Sequence, residues 1–537
     1  MRLKLIWLIG VGLAACALYE SSLHNPPFFD DKNYFEGGSL HTIFLDGFVF
    51  GVRWLPYFSM AWINLLFEDG IFAQRITSLA IHLLTAFVLY SLVKQVSNHV
   101  VPHQRNERAA LAVALLFVLH PVAVYAVGYM IQRTILMATL FGMLSLSAYF
   151  DGLVTRKKAY FFFSALFYLL SAFSKEHAVL IPAVALALTP LAAPISRRTW
   201  RQLVLPFALF TPIALLVIFQ SRGLVGQVYE PFSAPLVLVN FETQNPTLIW
   251  GMSVITQAAL FFKYLGLMLV PWPGWMSIDM RVPIATALWV PKYVLGIVTF
   301  IAYGVVALVW LLKGGRRSLI GFALLAPWLQ FLVEFSAVRI QEPFVLYRSY
   351  LWMAPLFLLI PAVTSKLSDA KFWSAALIVA LAYGLASSNR LNTFSDNYAL
   401  WDDAVRKLPD ERAIGSARAY SNRGAWNVRR GAYQDAIEDT TRALHVDPRF
   451  RDAYQNRAWA YVKLGEYEAA LRDANSLIHL YPQDPKVYTV RGGISRNIGN
   501  LELAIADYEH ACQRKLMEAC VALTLTSRLK KDARNFP

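Results

Sequence analysis

The feature that most constrains this chain is a series of long apolar runs across residues 1–389. They lie at 5–18, 76–93, 109–119, 134–150, 160–173, 178–191, 203–219, 287–312, 319–333, 351–363 and 372–385. A helix that crosses the hydrocarbon core needs about 20 mostly apolar residues, and polar flanks extend a shorter core. One such run fits a buried helix. Eleven in series point to a polytopic helical membrane domain, because helices satisfy their own backbone hydrogen bonds in lipid. Residues 1–19 place Arg2 and Lys4 before an apolar stretch, as a signal peptide does. No small-residue cleavage site follows, so this stretch reads as an uncleaved first span.

Charge orients the domain. The chain carries 50 Lys+Arg against 35 Asp+Glu, a net +15 that invites a nucleic-acid reading. Segments 1–4, 94–108, 151–158, 195–201, 313–317 and 366–371 hold 16 of the 27 basic residues up to position 389 and only three acids. That places +13 on thin loops between spans and leaves −2 on the rest of this half. By the positive-inside rule these loops and the N-terminus are cytoplasmic and the C-terminus lies outside. The expected location is a bacterial inner membrane with the C-terminal region in the periplasm, and nucleic acid is excluded as a partner. Apolar residues at 57% and only three cysteines also exclude disorder and a disulfide-dense scaffold. The apolar stretch 250–273 breaks the charge alternation if it crosses, so it reads as interfacial or re-entrant within an outer loop of about 221–286. Residues 44–67, interrupted by Arg53 and Pro56, read as lying at the outer interface.

Residues 417–537 obey different physics. Tyr420, Tyr454 and Tyr488 are spaced by 34, as are Gly431, Gly465 and Gly499, Ala436, Ala470 and Ala504, and Asp439, Asp473 and Asp507. A 34-residue period with small residues where two helices touch is the tetratricopeptide-repeat (TPR) signature. Such repeats stack into a concave surface suited to a protein partner. The expected division is a membrane domain over 1–389, a linker over 390–416 and about three repeats over 417–537, all α-helical. Cys512 and Cys520 flank a turn on the outer side, where a disulfide can persist.

Candidate chemistry gathers in the outer segments. Asp30 and Asp31 follow the first span, and one carboxylate can take a proton while its neighbour raises that basicity. His120 and Pro121 lead to Gln132 and Arg133, the only charge between Arg108 and Asp151. A guanidinium fork there suits a phosphate. Ser174, Lys175, Glu176 and His177 separate the fifth and sixth spans, Glu342, Tyr347 and Arg348 follow the ninth, and Asp279 lies in the long loop. No nucleotide-binding loop, dinucleotide glycine fingerprint, zinc spacing or nucleophile elbow occurs in a fitting context.

The order of Phe29-Asp30-Asp31, Arg53-Trp54-Leu55-Pro56, His120-Pro121 to Gln132-Arg133, Ser174-Lys175-Glu176, Thr256-Gln257, Lys263-Tyr264-Leu265, Asp279 and Tyr347-Arg348-Ser349-Tyr350-Leu351, followed by the repeats, resembles the TPR-containing transmembrane O-mannosyltransferases (TMTC-like) and their bacterial relatives. The resemblance implies a glycosyltransferase of the GT-C class. Such an enzyme transfers a sugar from a polyprenyl-phosphate donor to Ser/Thr hydroxyls of an extracytoplasmic protein, type IV pilin being one plausible acceptor. It implies Asp30 or Asp31 as the base, with Asp30 preferred. Arg53, His120, Gln132, Arg133, Lys175, Glu176, Asp279, Tyr347 and Arg348 would bind substrate, and no metal is assigned. The chain departs from the pattern at Tyr125, where many relatives carry Glu. Two rival readings remain: a ligase using a diphosphate-linked glycan, and a non-enzymatic membrane-anchored repeat scaffold.

Overall fold

The computed structural model describes residues 2–35, 51–67, 70–228, 236, 241, 243 and 245–535. Part of the 44–67 stretch falls outside the described residues; the rest forms the helix Trp54–Leu66. Helices dominate, and among the described residues the sole β pairing is an isolated bridge between Val228 and Val338. The chain divides into two compact units, one of residues 1–278 with 284–396 and one of 279–283 with 397–537.

In the first unit seven helices are long and apolar enough to cross a membrane, or eight if the bent pair Asn106–Val118 and Pro121–Val127 counts as one. The expected eleven runs are thus not eleven uniform rods. Those in Ile6–Ser22, Lys158–Ala172 and Glu176–Ala192 are shorter apolar helices. The third run bends by 56°. Its cause is local: Pro121 supplies no N–H, and His120 leaves the helical region at φ −70°, ψ 127°. The tenth run is broken into Ser349–Leu356 and Leu359–Thr364, with Pro355 and Pro361 in the two pieces. Close helix packing relies on small residues: a Cβ on Gly321 would stand 2.1 Å from Leu311 N, so only glycine admits this approach.

The loops sort to two ends. At one, Arg108 pairs with Asp369, Arg105 donates to the Ser365 carbonyl (3.3 Å), Arg316 to the Val363 carbonyl (3.3 Å), and His99 lies 3.1 Å from the Ala192 carbonyl. These contacts involve three of the basic segments that the charge count places on one side, 94–108, 313–317 and 366–371, and the helix end just before a fourth, 195–201. The helix Pro246–Leu269 satisfies the length and hydropathy needed to cross. It is tethered near both of its ends. Trp250 Nε1 donates to the Phe335 carbonyl at 2.7 Å, and the Met268 carbonyl meets His120 Nε2 at 3.0 Å.

The second unit begins with Asn397–Arg406, so residues assigned to a linker pack instead as its first helix, burying Leu400, Trp401 and Ala404. Helices Ala417–Arg429, Tyr433–Val446, Arg451–Leu464, Tyr467–Leu480, Pro485–Asn497 and Leu501–Gln513 follow as three antiparallel pairs. Gly431, Gly465 and Gly499 end the first helix of each pair at φ 81°, 79° and 84°. That left-handed conformation carries a steric penalty for other residues. Ala436, Ala470 and Ala504 are fully buried where paired helices meet. Each pair is clamped by a forked ion pair with the same period: Arg423–Asp439, Arg457–Asp473 and Arg491–Asp507, with closest approaches of 2.6, 2.8 and 2.8 Å. The arginine of this clamp escaped the sequence reading, although its spacing is also 34. Cys512 and Cys520 are disulfide-linked, tying Leu501–Gln513 to the final helix Met517–Asn535.

Candidate functional site

A polar cavity of about 460 Å³ opens in the first unit. Its walls bring together Asp30, Arg53, Gln132, Lys175, Tyr347 and Arg348 from five separate segments, together with Tyr34, Tyr57, Thr134, His177 and Glu342. The size lies within the range of about 300–1,000 Å³ usual for small-ligand sites.

The two adjacent carboxylates take opposite environments. Phe29 adopts φ 46°, a strained conformation for a side-chain-bearing residue. The chain then enters the short helix Asp30–Phe35. Asp31 turns inward and is fully buried. It accepts backbone N–H bonds from Ile131 (2.8 Å), Met130 (3.3 Å) and Phe28 (3.4 Å). Burial pushes its pKa up to about 7, opposed by these amides and by Arg75. Asp30 is exposed and lines the cavity, where the Tyr129 hydroxyl donates to its Oδ2 at 3.3 Å. Arg75 braces the preceding turn by donating to the carbonyls of Asn25 (3.1 Å), Pro26 (2.8 Å) and Gly128 (3.0 Å).

Three cations face the cavity. Lys175 is buried, and its ammonium donates to Gln132 Oε1 at 2.9 Å and Thr134 Oγ1 at 3.2 Å. An ammonium has three N–H donors. The Tyr347 ring lies 5.0 Å from the same nitrogen. Burial, then the neighbouring Arg53 and Arg348, lowers the Lys175 pKa to about 7. Arg53, at φ 67°, forks onto Glu176, with Nε 2.8 Å from Oε2. Arg348 donates to Glu334 at 3.2 Å and lies 3.7 Å from Glu342. Glu334 also receives His177 Nε2 at 3.1 Å and pairs with Arg339 at 3.4 Å. Each arginine is therefore held by a carboxylate, while Lys175 rests on neutral oxygens.

The other sequence candidates lie elsewhere. Arg133 is fully buried and outside the cavity wall, donating to the Gln74 carbonyl at 2.7 Å and to Ser59 Oγ at 3.4 Å. It thereby joins Trp54–Leu66 to Gly70–Val100. His120 caps Pro121–Val127 by accepting from the Val122 amide at 3.2 Å. Glu176 holds Arg53. Tyr125 is buried against the Phe394 ring, with centroids 5.7 Å apart. Asp279 belongs to the second unit and pairs with Arg281 (2.7 Å) and Arg418 (2.9 Å). Burial resists its ionisation, but these two cations prevail and lower its pKa.

Tyr57, Tyr129, Thr134 and Glu334 were not legible as site residues. Only Glu334 left a signal, being a carboxylate that directly ends the apolar run 319–333. Among the described residues no group of three His, Cys, Asp or Glu side chains is placed to hold a metal ion.

Residues 428–494 match the tetratricopeptide repeat family. No curated protein shows a match to the chain. The three helix pairs with their repeated glycine, alanine and Arg–Asp positions agree with that match, and the second unit is a tetratricopeptide-repeat domain.

Proposed function

We propose that the membrane unit is a glycosyltransferase that moves a sugar from a polyprenyl-phosphate donor to a Ser or Thr hydroxyl of an extracytoplasmic protein, and that the repeats recruit this acceptor. The observation that carries the proposal is the placing of an exposed carboxylate, Asp30, and a buried ammonium, Lys175, in one cavity beside Arg53 and Arg348. The acceptor oxygen attacks the anomeric carbon, and its proton passes to the Asp30 carboxylate. The bond from the anomeric carbon to the phosphate oxygen breaks, and its electron pair leaves with the lipid phosphate. Lys175 and Arg348 stabilise that developing charge. Fixed donors of this kind are worth about 100- to 1,000-fold each in rate. Asp31 serves as a strut: its carboxylate fixes the Met130–Gln132 turn, which presents Gln132 to Lys175.

Glu176, Glu334 and Glu342 compensate the two arginines, so the cavity offers one strong phosphate anchor and a limited excess of positive charge. A monophosphate-linked sugar suits this balance better than a diphosphate-linked glycan. The test is intact mass of extracytoplasmic proteins from cells with and without the chain. Loss of a discrete sugar mass on one protein supports transfer, and unchanged masses defeat it.

A further inference from the structure

At the end of the membrane unit where Arg108 meets Asp369, a second cavity of about 360 Å³ is almost wholly apolar. Leu186, Ala187 and Pro190 form one wall, Trp200 a second, and Leu308 and Leu312 a third. Leu186, Trp200, Leu308 and Leu312 are all solvent- or lipid-exposed, so the groove opens sideways on the surface that faces the bilayer. Basic residues flank its mouth. Arg197, Arg198 and Arg201 lie within a turn of Trp200, and Lys313 and Arg317 follow Leu312. None of these five has an ion-pair partner among the described residues. A helix-end tryptophan beside arginines is the composition of the membrane interface, where a chain can sit in hydrocarbon and a headgroup beside it in water.

We infer that this groove binds an acyl chain of an anionic phospholipid, whose phosphate is held by the Arg197–Arg198–Arg201 cluster and Lys313. Charge complementarity selects the class. Unpaired cations at the groove mouth favour a lipid with net negative charge, by about fivefold for a single basic residue at a membrane surface. A sugar donor whose phosphate rests at Lys175 has its headgroup in the other cavity, so the occupant is a structural lipid of the opposite leaflet. The site is independent of the proposed transfer reaction.

The experiment places the full chain in phosphatidylcholine vesicles containing a minor fraction of phosphatidylglycerol with a photoreactive acyl chain, and maps the labelled peptides. The expected labelling falls on residues 183–203 and 308–329, at least about fivefold above that from equally photoreactive phosphatidylcholine. Ala187→Phe fills the groove and should remove it. The surface triple variant Arg197→Gln, Arg198→Gln, Arg201→Gln should reduce it to the phosphatidylcholine level, and serves as the test if Ala187→Phe fails to fold. Equal labelling by the two lipids, labelling unchanged in the folded triple variant, or displacement by polyprenyl phosphate overturns the assignment.

Discussion

Asp30 and Asp31 are adjacent in sequence, yet one lines the cavity beside Lys175 while the other is sealed beneath it on three backbone amides. The separation assigns different consequences to the same substitution. Asp30→Asn removes the proton acceptor and should lower transfer by about 100- to 10,000-fold with unfolding unchanged. Asp31→Ala leaves buried N–H groups without an acceptor and should cost about 1–3 kcal/mol for each group left unsatisfied. Activity assays paired with thermal unfolding distinguish the two, and equal loss of stability in both variants would contradict the division.

Lys175 sets a pH dependence. Burial first, then Arg53 and Arg348, brings its pKa to about 7 in the folded chain, below the usual lysine value. The folded pKa is depressed, so burying this amine costs stability when both states are protonated. That cost fades as pH rises from about 7 toward the unfolded value near 10.4. Donor affinity moves the other way. The sugar-phosphate diester keeps its negative charge throughout, so its KM should rise as pH climbs through 7 and the ammonium is lost. Lys175→Gln should raise KM at low pH and flatten the profile; a slope that persists in this variant would place the titrating group elsewhere.

The repeat clamp predicts a stability effect without chemistry. Arg457→Ala leaves Asp473, which is 5% exposed, without its forked partner and should cost about 1–3 kcal/mol. Denaturant unfolding of the chain should show this loss in the transition assigned to the repeats. Transfer to a small peptide acceptor should be unaffected.

The Cys512–Cys520 bridge closes a loop with a sequence separation of 8. Chain-entropy arguments give it about 2–3 kcal/mol. Cys512→Ser with Cys520→Ser should lower the stability of the last helix pair by that amount, read as faster amide exchange in 501–535.

Much of this architecture is legible in the residues themselves. Eleven apolar runs and a 34-residue period are global signals that no local detail erases. The sequence also places Asp30, Arg53, Gln132, Lys175, Tyr347 and Arg348 as candidates, and the fold collects them in one cavity. What escapes is direction. Arg133 stands out as a lone charge, but the side of the helix it serves depends on the Gln74 carbonyl, which is distant in sequence. The contrast between Asp30 and Asp31 depends on the strained turn at Phe29, which composition does not reveal. Asp279 lies in a loop of the membrane half but clusters with the repeats through Arg418.

The most direct measurement of the central claim is the intact mass of extracytoplasmic proteins from a deletion strain carrying either the wild-type chain or Asp30→Asn at equal abundance. The wild-type chain should restore a discrete sugar mass on at least one protein, and Asp30→Asn should leave the masses of the deletion strain. Full restoration by Asp30→Asn would contradict the role of this carboxylate and the transfer mechanism built on it.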